Sequence, residues 1–184
     1  MLFIDRCHDC PYQGKAIGPR GQPNSPIVLV GEAPGAREID EGEPFRGRAG
    51  DVLWKAAAEA RLLEGNLFIT NSVACRPRNP VKPIRTPSPD AIRACHGRLA
   101  HDISAHDRAV IVALGATAIR AVTGLRDFLV TKKEPGTELP SEWGIVVPTL
   151  HPAYVLRRGL EGPEYEMLVA DLKHARRLAF GPGV

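Results

Sequence analysis

The sequence predicts a three-layer α/β/α domain with a central, four-stranded, mainly parallel sheet. Short apolar runs at residues 28–30 and 109–114 are typical of strands that are buried on both faces. A longer segment with helical periodicity, residues 49–63, follows the first of these runs. Because strands and helices that alternate at this spacing form right-handed parallel βαβ units, we expect helix layers around a parallel sheet.

The composition is that of an ordinary globular protein, with 184 residues, 43% apolar and 24% charged. We expect one domain spanning residues 1–184. No apolar run approaches the roughly 18 residues that a membrane span needs, and residues 1–5 are too short for a signal peptide. We therefore expect a cytoplasmic monomer that has no membrane partner. The net charge of +3 permits nucleic-acid binding without arguing for it.

A glycine- and proline-rich loop at residues 11–26 precedes the predicted strands and helices. Strands are predicted at residues 28–30, 67–70, 109–114 and 144–148, and helices at 49–63, 89–104, 116–122 and 164–179. Ser88 is a good N-cap for the helix that begins at Pro89. Residues 125–143 are compatible with two short strands or with irregular chain.

An acidic, glycine-rich loop follows the first strand. It begins at Gly31 and contains Glu32, Gly35 and Glu38, with the aromatic Phe45 further on. A loop of this kind at the carboxyl end of a strand lets the backbone approach a ligand and directs carboxylates into a crevice. The sequence therefore indicates a binding site at this end of the sheet.

Two other strand ends carry polar side chains. Asn71 ends the second strand, and a parallel sheet places it beside the loop at residues 32–38. On this pattern alone, Asn71 is as readily a turn residue as a binding residue. His151 follows the fourth strand and precedes a proline. Because His151 should face two other strand-end motifs, its position favours a functional role over a structural one.

The four cysteines are Cys7, Cys10, Cys75 and Cys95. Disulfides are disfavoured in a cytoplasmic chain. A structural zinc ion and an iron–sulfur cluster both accept four thiolates, and spacing alone does not separate them.

Taken together, these segments resemble the family 4 uracil-DNA glycosylases, the iron–sulfur branch of that superfamily. Residues 31–50 match every fixed position of the family's Gly-Glu-(Ala/Gly)-Pro-Gly loop with its later Glu and Gly-x-Pro-Phe-x-Gly-x-Ala-Gly. Residues 70–77 match Thr-Asn-x-Val-x-Cys-Arg-Pro, residues 114–118 match Leu-Gly-Ala-x-Ala, and residues 151–157 resemble His-Pro-(Ser/Ala)-x-x-Leu-Arg. The resemblance covers nearly the whole chain and is weakest at residues 11–26, 78–86 and 125–143.

The resemblance implies excision of uracil from DNA by hydrolysis of the N-glycosidic bond, which leaves an abasic site. Phe45 would stack on the flipped base, and Asn71 would read uracil N3–H and O4 with its carboxamide. The backbone of the loop from Gly31 through Ala33 to Gly35 would also contact the base. Glu38 would shape the pocket near uracil C5, where the methyl group of thymine must be refused.

The resemblance also assigns the catalytic groups. His151 would donate a hydrogen bond to uracil O2 as charge moves into the base. The best-known branch of the superfamily has an aspartate where Ala33 stands here, so Glu32 is the nearest carboxylate that could position the attacking water. For DNA binding, the resemblance implies a wedge of Tyr154, Val155 and Leu156, with Arg157 and Arg158 suited to phosphate contacts.

The same resemblance implies that Cys7, Cys10, Cys75 and Cys95 would hold a structural 4Fe–4S cluster. The cluster would attach the irregular N-terminal segment and a proline-rich loop to the sheet, since neither buries enough apolar surface to order itself.

The loop at residues 76–87 departs from the family because it is longer and basic. It faintly resembles an insertion in a related branch that becomes covalently attached to DNA through a loop histidine. Arg85 occupies the place of that histidine, so we expect it to contact DNA and we expect ordinary turnover. The alternatives are a chain that binds or traps uracil-DNA with little turnover, and a radical or electron-transfer iron–sulfur protein. We expect the histidines at 96, 101 and 106 to lie on the surface.

Overall fold

The computed structural model describes residues 10–12, 14–22, 24–77, 86–106 and 109–181. Its strands are β1 (Arg20–Gly21), β2 (Ile27–Gly31), β3 (Leu67–Asn71), β4 (Val110–Leu114), β5 (Leu139–Ser141) and β6 (Gly144–Thr149). Its helices are α1 (Ala36–Glu41), α2 (Arg48–Glu59), α3 (Pro89–Ser104), α4 (Ala116–Thr123), α5 (Pro152–Arg158) and α6 (Pro163–Phe180). None of the described helices combines the length and the apolar character that crossing a membrane requires.

All the described strands form one sheet in the order β1-β3-β2-β4-β6-β5. The four central strands are parallel, as predicted. The prediction of four strands is wrong in number, because β1 and β5 add antiparallel edges to make six. These edge strands have two and three residues, too few to show an alternating pattern.

Each face of the sheet is covered by helices, which confirms the three-layer architecture. Val28, Val30 and Ile111 pack against α3 and α4 on one face. Ile27, Leu29 and the other alternate residues pack against α2, α5 and α6 on the opposite face. Since both faces are buried, the central strands read as continuous apolar runs rather than as alternating ones.

The strand register brings the carboxyl ends of the central strands to one edge of the sheet. Gly31 pairs with Asn71, and Leu114 pairs with Thr149. The loops that leave these strands are bonded to each other, because the backbone N–H and the hydroxyl of Ser72 both donate to the Gly31 carbonyl at 2.8 Å. This edge is where the sequence predicted the site.

The segment at residues 125–143 contains a 3₁₀ turn (Val130–Lys132) and the strand β5. It is attached to α6 by an ion pair between Lys133 Nζ and Asp171 Oδ1 at 2.6 Å, and both side chains are almost fully buried, at 1% and 2% exposure. Burial raises the pKa of the Asp171 carboxyl, while the hydrogen bond and the positive charge of Lys133 oppose the rise. The attraction within a buried pair of this kind is largely offset by the cost of removing both charges from water.

Two expectations about local structure are wrong. Helix α2 ends at Glu59 rather than at residue 63, because the chain turns at Arg61, whose φ is +57°. His106 is not on the surface: it is 4% exposed, and its ring centroid lies 4.2 Å from that of Phe68. Burial lowers the pKa of His106, since the charged imidazolium is disfavoured there.

Candidate active site at the carboxyl edge of the sheet

Gly31 lies between two of the predicted base-binding residues. A Cβ atom at this position would stand 2.3 Å from Asn71 Oδ1 and 2.6 Å from Phe45 Cζ. Only glycine therefore allows the backbone, the carboxamide and the ring to approach each other so closely. Asn71 and Phe45 are each 5% exposed. The structure thus brings three predicted site residues from two strand ends and one loop into contact.

Phe45 is held in an unusual backbone conformation. Its φ is +54°, which costs a non-glycine residue on the order of 1–3 kcal/mol unless its surroundings impose it. The Phe45 N–H donates to Glu38 Oε1, and its carbonyl accepts a hydrogen bond from Trp54 Nε1 at 3.1 Å. Gly50 leaves room for this turn, because a Cβ there would lie 2.0 Å from the Phe45 carbonyl oxygen. Strain of this kind concentrates at functional sites.

Glu38 connects both ends of the first loop. Its carboxylate accepts hydrogen bonds from the backbone N–H groups of Gly35, the N-cap of α1, and Phe45. Burial raises the pKa of Glu38, and these backbone donors oppose the rise. The carboxylate thus positions Phe45. Its expected contact with uracil C5 stays a prediction.

Side chains of α3 form hydrogen bonds to the end of β3 that carries Asn71. The Arg98 guanidinium donates to the Asn71 carbonyl and, at 2.8 Å, to Thr70 Oγ1. It also pairs with Asp102, which accepts a hydrogen bond from Thr70 Oγ1 at 2.7 Å. Sequence reasoning missed this network, although an Arg and an Asp four residues apart on one helix are a detectable signal.

Glu32 is held by a residue that the sequence analysis did not single out. Thr117 Oγ1, in the first turn of α4, donates to Glu32 Oε2 at 2.6 Å. Burial raises the pKa of the Glu32 carboxyl, and the hydrogen bond from Thr117 opposes this rise. The sequence did contain a signal for Thr117, because it occupies the variable position of the matched Leu-Gly-Ala-x-Ala pattern.

His151 is the N-cap of α5, and its Nδ1 accepts a hydrogen bond from the Ala153 N–H at 3.1 Å. Nδ1 therefore carries no proton, and the hydrogen of the neutral ring lies on Nε2. Burial, aided by the positive charge of Arg157, lowers the pKa of His151 to about 4. Gly115, at φ +86°, makes room for the ring, since a Cβ there would lie 2.9 Å from His151 Cβ. The result is a neutral hydrogen-bond donor at the sheet edge.

The residues after His151 divide between core and surface. Val155 is fully buried in the core, so its predicted place in a DNA wedge is wrong. Tyr154 and Leu156 are half-buried, and Arg157 is exposed, with its guanidinium 5.9 Å from the Tyr154 ring centroid. Arg158 is paired with Glu164 at 2.7 Å. The predicted DNA contact at residue 85 lies outside the described residues.

Three of the predicted cluster ligands are described, and all are buried: Cys10, Cys75 and Cys95, whereas Cys7 lies outside the described residues. Burial raises the pKa of the Cys10 thiol, a backbone hydrogen bond from Tyr12 opposes the rise, and the adjacent Cys95 thiol adds to it. Within the described ranges, no group of three or more ligands is close enough to hold a metal ion.

The described cysteines nonetheless lie at positions where a bound metal or cluster would join separate segments of the chain. Cys10 and Cys95 share an apolar cluster with Val73 and Ala91. Cys75 forms an antiparallel bridge with Ala16, which attaches the N-terminal arm to the chain after β3. Buried thiols in an apolar setting suit an iron–sulfur cluster or a zinc ion.

Comparison with known proteins gives a consistent result. The model of the uracil DNA glycosylase superfamily matches residues 19–173. A type-4 uracil-DNA glycosylase of Thermotoga maritima is 36% identical over 84% of this chain and 80% of its own length. Type-4 uracil-DNA glycosylases of Archaeoglobus fulgidus and Sulfurisphaera tokodaii are 37% and 34% identical over 79% and 99% of this chain, and over 74% and 83% of their own lengths.

The family match spans the sheet edge described above, including β2, β3, β4, β6 and the loops that carry Glu32, Phe45, Asn71 and His151. The chain therefore belongs to the uracil-DNA glycosylase superfamily and, within it, to the type-4 uracil-DNA glycosylases.

Proposed function

We propose that this chain removes uracil from DNA by hydrolysing its N-glycosidic bond, leaving an abasic site and free uracil. The observation that carries the proposal is the convergence of Phe45, Asn71 and a neutral His151 at one edge of the sheet. The names of the relatives support the same substrate class. Since the bond is shielded in stacked DNA, the nucleotide must be flipped out to reach this edge.

Base recognition rests on Asn71 and Phe45. A carboxamide presents one acceptor and one donor side by side, which match uracil N3–H and O4. Cytosine presents the opposite pattern, so a fixed carboxamide would leave buried polar groups unpaired and would discriminate strongly. The confinement of Asn71 Oδ1 beside Gly31, where a Cβ would lie 2.3 Å away, supports a restricted carboxamide, and the bond from Arg98 to the Asn71 carbonyl fixes the backbone that carries it. The Phe45 ring supplies a stacking surface.

Bond cleavage rests on His151. As the bond breaks, negative charge moves into the base, and a donor aimed at O2 stabilises the transition state more than the ground state. A pKa of about 4 keeps the ring neutral at physiological pH, so the donor is the N–H of a neutral imidazole at Nε2 rather than an imidazolium. The Ala153 N–H supports this assignment because it occupies Nδ1. In this proposal Glu32 positions the water that attacks C1′.

The proposed resident cofactor is a 4Fe–4S cluster on Cys7, Cys10, Cys75 and Cys95. When bound, it would supply a structural cross-link and no step of the hydrolysis. The burial of the three described cysteines and the contact of Cys10 with Cys95 support it. Such a cross-link would attach the N-terminal arm to α3 and to the chain after β3.

His151→Ala should slow excision roughly 100- to 1,000-fold, because it removes the donor to the developing uracil anion. The measurement is a single-turnover time course on a uracil-containing oligonucleotide, developed by alkali and a denaturing gel. His96→Ala is the matched control, since His96 is exposed on α3, and it should cleave at the wild-type rate. Equal rates for His151→Ala and wild type would contradict the role of His151. In a second time course with the oligonucleotide in excess, wild type that binds the DNA but cleaves at most once per enzyme would favour the trapping alternative.

Asn71→Asp should lower uracil excision at least about a hundredfold, because a carboxylate does not donate to uracil O4 and repels the developing anion. Excision of uracil and of cytosine should be followed on matched oligonucleotides. Asn66→Asp offers the same change at the opposite end of β3, just before Leu67, and should have little effect. Undiminished uracil excision by Asn71→Asp would show that another group reads the base.

Cys95→Ser should abolish the proposed cluster, because a serine hydroxyl does not replace a thiolate ligand. Wild type purified without oxygen should contain about four irons per chain with matching sulfide and show visible absorbance, and Cys95→Ser should lose these signals. Ala94→Ser, one residue away, is the control and should retain them. Wild type that contains zinc, or a Cys95→Ser protein with full iron content, would contradict the assignment.

A further inference from the structure

The first turn of α4 touches both proposed catalytic groups. Gly115 is the N-cap of this helix, and a Cβ there would stand 2.9 Å from His151 Cβ. Two residues later, Thr117 Oγ1 donates to Glu32 Oε2 at 2.6 Å. The Gly115 N–H also donates to the Thr149 carbonyl at 2.8 Å, so the turn is fixed to the strand that leads into His151.

Glu32 depends on this hydroxyl for its orientation. Among the described residues, Thr117 donates the side-chain hydrogen bond to the Glu32 carboxylate. The Glu32 backbone is fixed separately, since its carbonyl accepts from the Val73 N–H at 3.2 Å. A glutamate side chain has several rotatable bonds, so a fixed backbone alone does not fix its carboxylate.

Thr117 is not explained by helix capping or by apolar packing. It stands inside the helix rather than at the cap, and Gly115 provides the cap without a side-chain bond. Thr117 is 8% exposed, and a buried hydroxyl needs a partner that an apolar residue of the same shape would not. Its partner is Oε2 of the carboxylate, and within the described part of the chain no hydrogen bond occupies the second oxygen, Oε1.

We propose that Thr117 is a positioning residue for Glu32: it holds Oε2 so that Oε1 orients the water that attacks C1′. This inference rests on the proposed uracil excision and extends it to a residue outside the two motifs that carry Glu32 and His151. Since Gly115 and Thr117 belong to one turn, the same turn also sets where the water-positioning carboxylate lies relative to the His151 donor. An error of about 1 Å in such placement costs roughly a hundredfold in rate.

The test is a double-mutant cycle on uracil-containing oligonucleotide at saturating enzyme. Thr117→Val keeps the shape of the side chain and removes the hydroxyl, and the single-turnover rate should fall roughly ten- to a hundredfold with DNA affinity unchanged. Thr117→Ser restores the hydroxyl and should recover most of the rate. Thr123→Val is the matched control in the same helix, because Thr123 Oγ1 donates to the Ile119 carbonyl and touches no proposed catalytic group.

The second arm of the cycle separates positioning from a merely structural role. In a Glu32→Gln background, Thr117→Val should cost little further rate, because the group it positions is already impaired. An equal loss in both backgrounds, or a wild-type rate for Thr117→Val, would overturn the inference while leaving uracil excision intact. A wild type that releases no uracil would instead overturn the proposed function, and this inference with it. If Thr117→Val does not fold, Thr117→Ala takes its place with the same expected outcomes.

Discussion

The parallel register of the four central strands is the constraint on which the site depends. Pairing Gly31 with Asn71 and Leu114 with Thr149 brings the loops after all four strands to one edge. The strands themselves are apolar on both faces, so polar side chains are confined to their ends. Any slip in register would separate the Asn71 carboxamide from Gly31 and Phe45, whose contact is already as close as a glycine allows.

Burial pushes three titratable groups at this edge, His151, Glu32 and Glu38, toward their neutral forms. It lowers the pKa of His151 and raises the pKa of Glu32 and Glu38. For His151 the neutral form is the useful one, and a positive charge on Arg157 reinforces it. For the two carboxylates, hydrogen bonds oppose burial: Thr117 at Glu32, and backbone N–H groups at Glu38. The site thus contains one neutral hydrogen-bond donor, His151, and two carboxylates whose charged forms are stabilised by hydrogen bonds.

Sequence reasoning found the parts of this molecule that have a strong local signal. The four central strands are short, continuous apolar runs, and the residues at their ends fall in motifs of fixed spacing. It missed β1, which is too short to show a period, and it left residues 125–143 open between short strands and irregular chain, where the structure forms β5. It misplaced Val155 and His106, whose burial depends on tertiary packing. The Thr117 contact with Glu32 joins residues 85 positions apart, and no local pattern encodes such a distance.

The central claim is that His151 acts as a neutral donor through Nε2, and nitrogen NMR of labelled histidine tests it most directly. Comparison with His151→Gln assigns the signal. We expect the Nε2–H tautomer to persist at neutral pH and to titrate near pH 4, because Ala153 occupies Nδ1 and burial disfavours the charged ring. A His151 that titrates near its ordinary pKa of about 6.5, or that carries its proton on Nδ1, would contradict the account.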